Sequence, residues 1–241
     1  MKTNKKILVM SGIALALVTT IYVYLFFLSE PNDLPSERLM LKGINELQSE
    51  VQAEVLQDKI FLTDKAVFVP FVSESGDYGA SYWTWKKGKW RIAHIEANDG
   101  PRIWKINPHD PSTFHFVWNL HPNDDVQNLS FYLIKRRYFQ VSDGVATYDP
   151  RVQMNVSLPL DSLSYGTLKL PNEWAVSLEE FLQIKDPNRS LEQFYSFEWI
   201  AYDKEGKEFI PSKSLMGGST SAGFENEIID FIPLVTEFEL E

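Results

Sequence analysis

The most apolar stretch of the chain runs from Ile7 to Leu28 and contains no charged side chain. At a helical rise of about 1.5 Å per residue, this length spans roughly 33 Å, which matches the apolar core of a bilayer. Lysines precede the stretch and aromatic residues crowd its far end. The pattern predicts a transmembrane anchor over 7–28, with residues 1–6 in the cytoplasm and the rest of the chain outside it. A signal peptide cleaved after Ala14-Leu15-Ala16 is the alternative.

A short linker, residues 29–36, is expected after the anchor, followed by an amphipathic helix over 37–58. Its apolar residues recur at spacings of three and four, as on one helix face: Met40, Ile44, Leu47, Val51 and Val55. We expect this face to pack against the chain's own sheet, with a partner helix or a second copy as the alternative.

From Lys59 onwards, β-branched and aromatic runs broken by turn residues are typical of antiparallel sheet. Two hairpins are predicted. The first spans Ser81 to His94 around a Lys87-Gly88 turn, with Trp85 opposite Trp90, Trp83 opposite Ile92 and Ser81 opposite His94. The second spans Tyr195 to Ile210 around the Asp203-Lys204-Glu205-Gly206 turn.

Further strands are predicted at 66–72, 113–121, 129–141, 151–158 and 235–241, and a short helix at 177–184, where Ser177 and Glu180 form a capping box. The expected fold is a single N-terminal transmembrane helix plus a mainly β extracytoplasmic domain, β-sandwich-like or α+β, with one membrane-proximal helix. Residues 59–241 form the β-rich domain, with a division into two lobes near 142–175 as an alternative.

Charge and cysteine content exclude several classes of partner and site. The whole chain has a formal net charge of -10, and the three lysines before the anchor leave -13 for residues 29–241. An acidic domain of this kind argues against binding to nucleic acid. Because the chain has no cysteine, it has no disulfides and no thiolate metal ligands, which favours a bacterial origin.

A metal site is the first chemical hypothesis, because all four histidines fall between residues 94 and 121. His115 and His121 lie on one face of a predicted strand, but six residues at about 3.3 Å each place them roughly 20 Å apart, so they cannot share one ion. His109 lies in a loop and leaves open a site built from two segments. His115, Asn119 and His121 are expected on a half-exposed face. We predict no metal, cofactor or catalytic residue.

The stretch Ser212 to Gly223 is rich in glycine and hydroxyl side chains, but it lacks the spacing of a nucleophile elbow or a phosphate loop. A surface loop is predicted there.

Candidate binding residues fall into two groups. Lys135, Arg136 and Arg137, flanked by Tyr132 and Tyr138, form the basic cluster of an acidic domain and suit a protein contact. Trp104 and Trp174 lie beside prolines and are the tryptophans predicted to be exposed, whereas Trp83, Trp85, Trp90 and Trp118 are predicted in the core.

These features predict a membrane-tethered interaction or accessory domain that binds a protein partner in the cell envelope. The partner would contact sheet edges, the basic cluster or the first amphipathic helix. The alternative is an envelope enzyme or glycan-binding module that uses exposed tryptophans and the loop histidines. Convergence of His109, His115, Trp104 and the Ser212 to Gly223 loop on one cleft would favour this alternative.

Overall fold

The structure, a computed structural model, describes residues 2–24, 30–142, 144–160, 163–183, 191–215, 222–223 and 228–240. It is mainly antiparallel β-sheet. The helices are α1 (Lys2–Val23), α2 (Glu37–Leu47), α3 (Asn172–Leu182), α4 (Leu191–Phe194) and α5 (Glu237–Leu240). The strands are β1 (Ala53–Leu56), β2 (Ile60–Thr63), β3 (Ala66–Ser73), β4 (Tyr78–Lys86), β5 (Lys89–Ala97), β6 (Arg102–Lys105), β7 (Phe114–Asn119), β8 (Asn128–Lys135), β9 (Tyr138–Ser142), β10 (Val145–Asp149), β11 (Val152–Pro159), β12 (Tyr165–Lys169), β13 (Tyr195–Tyr202), β14 (Glu208–Phe209), β15 (Ala222–Gly223) and β16 (Ile228–Phe231).

The prediction of a transmembrane helix over 7–28 is wrong, as judged from the residues that the structure describes. None of their helices combines the length and the apolar character that crossing a bilayer requires. Helix α1 begins at Lys2, and its described run of uncharged side chains, 10–23, spans about 21 Å against the roughly 30 Å of a bilayer core. Of the rest of the predicted span, the side chains of 7–9 and all of residues 25–28 lie outside the description. The single-pass anchor is therefore withdrawn, and a location outside the cytoplasm stays a prediction.

Helix α2 packs on the chain's own sheet, as predicted, through the fully buried Met40 and Ile44. It ends at Leu47, well short of the predicted residue 58. The side chain of Asn45 accepts a hydrogen bond from the backbone N of Ala53 at 2.7 Å and donates one to the Ala53 carbonyl at 2.9 Å. These two bonds fold the chain back on itself, so that strand β1 follows where the helix was expected to continue.

Sheet A has the strand order β1-β3-β4-β5-β15, with β2 also paired to β3. Its central hairpin turns at Lys87 and Gly88, as predicted, and both residues have positive φ, 54° and 71°. Trp85 faces Trp90 and Trp83 faces Ile92 as predicted. A register shift between Tyr82 and Trp83 places Ser81 opposite Ile95, however, and not opposite His94.

Three sheets stack face to face. Sheet B has the order β12-β7-β6-β16, and sheet C has the order β11-β8-β13-β14. Between sheets A and B lies a small apolar core that includes Phe68, Trp104 and Val117. Between sheets B and C lies the largest core, closed at one side by α3 and including Phe116 and Phe131. Sheet B is therefore covered on both faces.

The predicted Tyr195 to Ile210 hairpin is confirmed as β13 and β14, joined by a turn in which Gly206 N donates to the Asp203 carbonyl at 3.0 Å. The predicted strand over 129–141 divides into β8 and β9, with a break at Arg136 and Arg137. The predicted division into two lobes stays a prediction.

Two helices, α3 and α5, differ from the sequence prediction. The helix predicted over 177–184 begins five residues earlier, after Pro171. The predicted final strand, 235–241, contains the short helix α5, whose Glu239 side chain reaches back to Thr236. The Glu239 carboxylate accepts from the Thr236 backbone N at 2.7 Å and from its hydroxyl at 3.0 Å.

Candidate interaction surface

A two-stranded arm continues the β8–β11 pair of sheet C. Strands β8 and β11 pair up to Lys135 and Val152. After a two-residue break in each strand, β9 and β10 resume the pairing with Tyr138 opposite Asp149. Gly144, with φ of 78°, lies at the turn of the arm. We call strands β9 and β10 the arm, and the residues of the break the neck.

One face of the arm is exposed and apolar. The ring of Tyr138 packs edge-on against Phe194 of the core, with 5.3 Å between the ring centroids. Because side chains alternate along a strand, Phe139 and Val141 then lie on the opposite face. Tyr148 pairs with Phe139 and shares that face. Phe139, Val141 and Tyr148 are 63%, 58% and 59% exposed. Such a cluster is a feature of interaction sites.

The neck carries the predicted basic cluster. The Lys135 ammonium lies 3.2 Å from the Asp149 carboxylate and so joins the end of β8 to the base of the arm. Arg136 and Arg137 are exposed and make no ion pair with another described residue. The backbone N of Arg136 donates to the Phe194 carbonyl at 2.7 Å, which fixes the chain at this point. The backbone of the cluster is therefore held to the core at Arg136, and the side chains of both arginines are exposed.

Tyr132 does not belong to this surface. It is 8% exposed and lies on the outer face of sheet C, where its hydroxyl is 3.4 Å from the hydroxyl of Tyr202. Burial, followed by the hydrogen bond to Tyr132, raises the pKa of Tyr202. Tyr202 is therefore protonated at neutral pH, and Tyr132 serves packing between β8 and β13.

Trp104 and Trp174 are buried, at 0% and 3% exposure, although both were predicted to be exposed platforms. Trp104 lies between sheets A and B, with its ring centroid 5.2 Å from that of Tyr82. Trp174 belongs to the core between sheets B and C. Neither ring offers a face to a sugar, so the glycan-binding alternative loses the stacking surfaces on which it rested.

A cleft of about 240 Å³ lies beside the neck, between the edge of sheet B and the start of β13. It was not foreseen from sequence, because its walls come from segments far apart in the chain. Its lining includes both charged and aromatic side chains: Lys105, Arg136, Tyr195, Phe197, Asp230 and Phe231. A second cleft, of about 200 Å³, lies beside His121 and Gln127.

The histidines do not converge. His115 is 7% exposed, and its Nδ1 lies 3.0 Å from the Thr113 carbonyl oxygen. Burial lowers the pKa of His115 and keeps it neutral. The Nδ1 of His121 accepts from the backbone N of Asn123 at 3.0 Å, whereas His109 is exposed in the loop after β6. Within the described residues, no three metal-binding side chains cluster around one point.

The Ser212 to Gly223 segment is described in part, at 212–215 and 222–223. Its first residues fold against the turn after β7. The Asp124 carboxylate accepts from the backbone N of Lys213 at 3.0 Å and from the hydroxyl of Ser214 at 2.6 Å. Ser214 is 1% exposed and is held as a structural residue, while residues 216–221 lie outside the description.

A buried polar cluster between sheets A and B was missed from sequence. The Tyr82 hydroxyl donates to one oxygen of Glu96. Arg102 Nε lies 2.7 Å from the other oxygen as an ion pair, without the alignment of a hydrogen bond. The Arg102 guanidinium also pairs with Asp99. Burial, with the Glu96 charge as the next cause, raises the pKa of Tyr82 well above its ordinary value. The cluster joins β5 to β6.

Among the features described above, the arm presents exposed apolar side chains, and the adjacent cleft presents charged and aromatic ones. Comparison with known proteins adds no analogy, since no protein-family model, no curated protein and no solved structure matches this chain.

Proposed function

We propose that this chain is an accessory domain that binds a protein partner through the arm. The observation that carries the proposal is the exposed apolar face formed by Phe139, Val141 and Tyr148. A side chain of this size contributes roughly 1.5 to 3 kcal/mol when it is moved from water into an apolar contact. Leaving three of them on one small face favours a surface that becomes covered.

Sheet geometry supports the same proposal. The arm is a sheet of two strands, and a two-stranded hairpin alone is marginally stable in water. Contact with a partner would cover the exposed face, and a partner strand could extend the ladder at the outer edge of β9 or β10. Lys135 and Tyr138 hold the base of the arm against the body, so binding requires little reorganisation of that base.

Charge identifies the kind of partner. Arg137 lies at the base of the apolar face, two residues before Phe139, in a chain whose net charge is -10. Arginine side chains beside aromatic residues are typical of binding hot spots. The complementary surface is apolar and rimmed by carboxylates.

The test compares two double variants of the full chain. F139S/Y148S removes the aromatic residues of the arm. F61S/F238S removes two aromatic residues elsewhere, which are 59% and 83% exposed. A photo-crosslinking residue placed at position 141 captures the partner in cells. We expect wild type and F61S/F238S to give the same crosslinked product and F139S/Y148S to lose it, with melting temperatures unchanged.

An equal yield of crosslinked product from both double variants would contradict the proposal, because the aromatic residues of the arm would then matter no more than other exposed aromatic residues. A crosslinked product made only of two copies of this chain would also overturn it, since the proposed partner is a different protein.

A further inference from the structure

The cleft beside the neck brings together four separate parts of the chain. Its walls come from β6, the neck, α4 with the start of β13, and β16. Lys105 belongs to β6 and Asp230 to β16, and these strands pair with each other at the edge of sheet B. Arg136 belongs to the neck. None of the exposed apolar residues of the arm lines this cleft, so it is a separate surface.

The cleft carries a surplus of positive charge. The Lys105 ammonium lies 2.6 Å from the Asp230 carboxylate, with the lysine side chain 6% exposed and the aspartate side chain 43% exposed. This pair is electrically neutral as a unit. The guanidinium of Arg136 has no ion pair with another described residue, so one positive charge remains uncompensated among the side chains of the lining. A ligand with one negative charge would balance it.

Apart from Ser196, whose hydroxyl donates to Glu198, the remaining walls are apolar or aromatic. Phe197 and Tyr195 line the cleft together with Ile103 and Leu191. Phe231 also lines it and is 51% exposed, but the Arg102 guanidinium lies over its ring, 5.6 Å from the centroid. Exposed aromatic surface beside a cation suits a ligand with an apolar group next to its charge. The volume of about 240 Å³ is slightly below the usual range for small-molecule pockets. It therefore matches one large side chain with its acid group.

We propose that this cleft binds a carboxylate attached to an apolar or aromatic group. Arg136 pairs with the carboxylate, in the planar two-donor geometry that guanidinium groups offer to carboxylates. Phe197, with Ile103 and Leu191 beside it, contacts the apolar group. A phosphate monoester carries close to two negative charges at neutral pH and would leave one unbalanced, so the charge of the cleft favours a carboxylate.

The same chemistry has two sources, a free small acid or the C-terminal residue of a peptide. In the second case the chain preceding the C-terminal residue could pair with the outer edge of β16, which is the terminal strand of sheet B among the described residues.

The experiment titrates N-acetylphenylalanine into the full chain and follows binding by calorimetry. N-acetylphenylalaninamide, which has the same shape without the charge, is the ligand control. We expect a dissociation constant on the order of 1 mM for the acid, as its size allows, and at least roughly tenfold weaker binding of the amide.

Two neighbouring arginines provide matched variants. R136Q removes the cation that lines the cleft, and R137Q removes a neighbouring exposed cation that does not line it. We expect R136Q to weaken binding of the acid roughly tenfold and R137Q to leave it within about twofold. Equal effects of the two variants, equal binding of acid and amide, or no binding at about 10 mM acid would overturn the proposal.

The source of the ligand is distinguished with acetyl-Ala-Ala-Ala-Phe. If this peptide binds at least tenfold tighter than N-acetylphenylalanine, the ligand is a peptide C-terminus. If it binds equally or more weakly, the ligand is a free acid. The arm variant F139S/Y148S should bind all these probes like wild type, so failure of the cleft and failure of the arm are distinguishable.

Discussion

The amide of Asn119 fastens sheet B to sheet A, and its replacement provides a demanding test of the stacked architecture. Asn119 ends β7 and is 7% exposed. Its Nδ2 donates to the carbonyl oxygens of Gly79 at 2.7 Å and Phe71 at 3.1 Å, and to the side-chain oxygen of Gln57 at 2.7 Å. Asn119→Asp has nearly the same shape but turns a donor into an acceptor facing three oxygen atoms.

The expected cost follows from the burial of this position. Burial without a cationic partner raises the pKa of a carboxyl group by up to about 3 to 5 units. Each unit corresponds to about 1.36 kcal/mol, so a shift of roughly 3 units costs about 4 kcal/mol at neutral pH. Asn119→Ala leaves the two backbone carbonyls without this donor, at about 1 to 3 kcal/mol each when water is excluded.

The pH dependence separates the two variants. The pKa of the introduced carboxyl is higher in the folded state than its unfolded value of about 3.9. The penalty for its charge is therefore absent below about pH 4, grows as the pH rises, and is complete above the folded-state pKa. The cost of Asn119→Ala involves no titrating group and should not change with pH.

Urea unfolding followed by tryptophan fluorescence at pH 4.5 and pH 7.5 measures these free energies. Relative to wild type, we expect Asn119→Asp to lose at least ~2 kcal/mol more at pH 7.5 than at pH 4.5. Asn123→Asp, at an exposed position in the following turn, should stay within about 0.5 kcal/mol of wild type. A cost for Asn119→Asp that is equal at both pH values, or that matches Asn123→Asp, would refute the proposed inter-sheet bond.

Three further predictions follow from other contacts. Tyr82→Phe removes the buried hydroxyl that donates to Glu96 and should lower the free energy of unfolding by about 1.5 to 3 kcal/mol; a loss below ~0.5 kcal/mol in urea unfolding would contradict this. His115 has a lowered folded-state pKa, so its contribution to stability is complete above the unfolded value of about 6.5 and declines as the pH falls below it. His115→Gln should flatten the stability profile between pH 7 and pH 5, and an unchanged slope would show that another group titrates there. Lys135→Met removes the ion pair with Asp149. Because both side chains are partly exposed, the free energy of unfolding should fall by less than about 1 kcal/mol, whereas amide hydrogen exchange in the arm should accelerate. Unchanged exchange would show that this ion pair does not hold the arm in place.

The hairpins were predictable from sequence because their determinants are local. Lys87-Gly88 and the turn ending at Gly206 place glycine where positive φ is required, and the tryptophan pairing follows from the two-residue turn. The apolar stripe of α2 was also readable, since Met40 and Ile44 lie one helical turn apart. The end of that helix was not, because it depends on the bonds between Asn45 and Ala53.

The polar face of β7 shows why burial was misjudged. Alternation correctly separates His115 and Asn119 from Phe114 and Phe116, but it does not reveal whether a second sheet covers the polar side. Sheet A does so, and both polar residues are buried. Residues 235–241 illustrate a second ambiguity, because this segment alternates like a strand and also has the Thr-x-x-Glu spacing of a capping box. Thr236 bonds to the Glu239 carboxylate, and the segment forms a helix.

The stacked sheets also explain where binding is located in this molecule. Asn119, Glu96 and Arg102 have chemistry that sequence alone could assign to a site, yet each is engaged in joining one sheet to the next. The two proposed binding surfaces, the arm and the cleft lined by Arg136, meet at the neck. There the two adjacent arginines separate: Arg136 lines the cleft, and Arg137 lies at the base of the exposed face of the arm. If the arm and the cleft are independent sites, R136Q should impair binding of the acid and spare the protein partner, and R137Q should do the reverse; one variant that abolished both would mean that neck and cleft form a single surface.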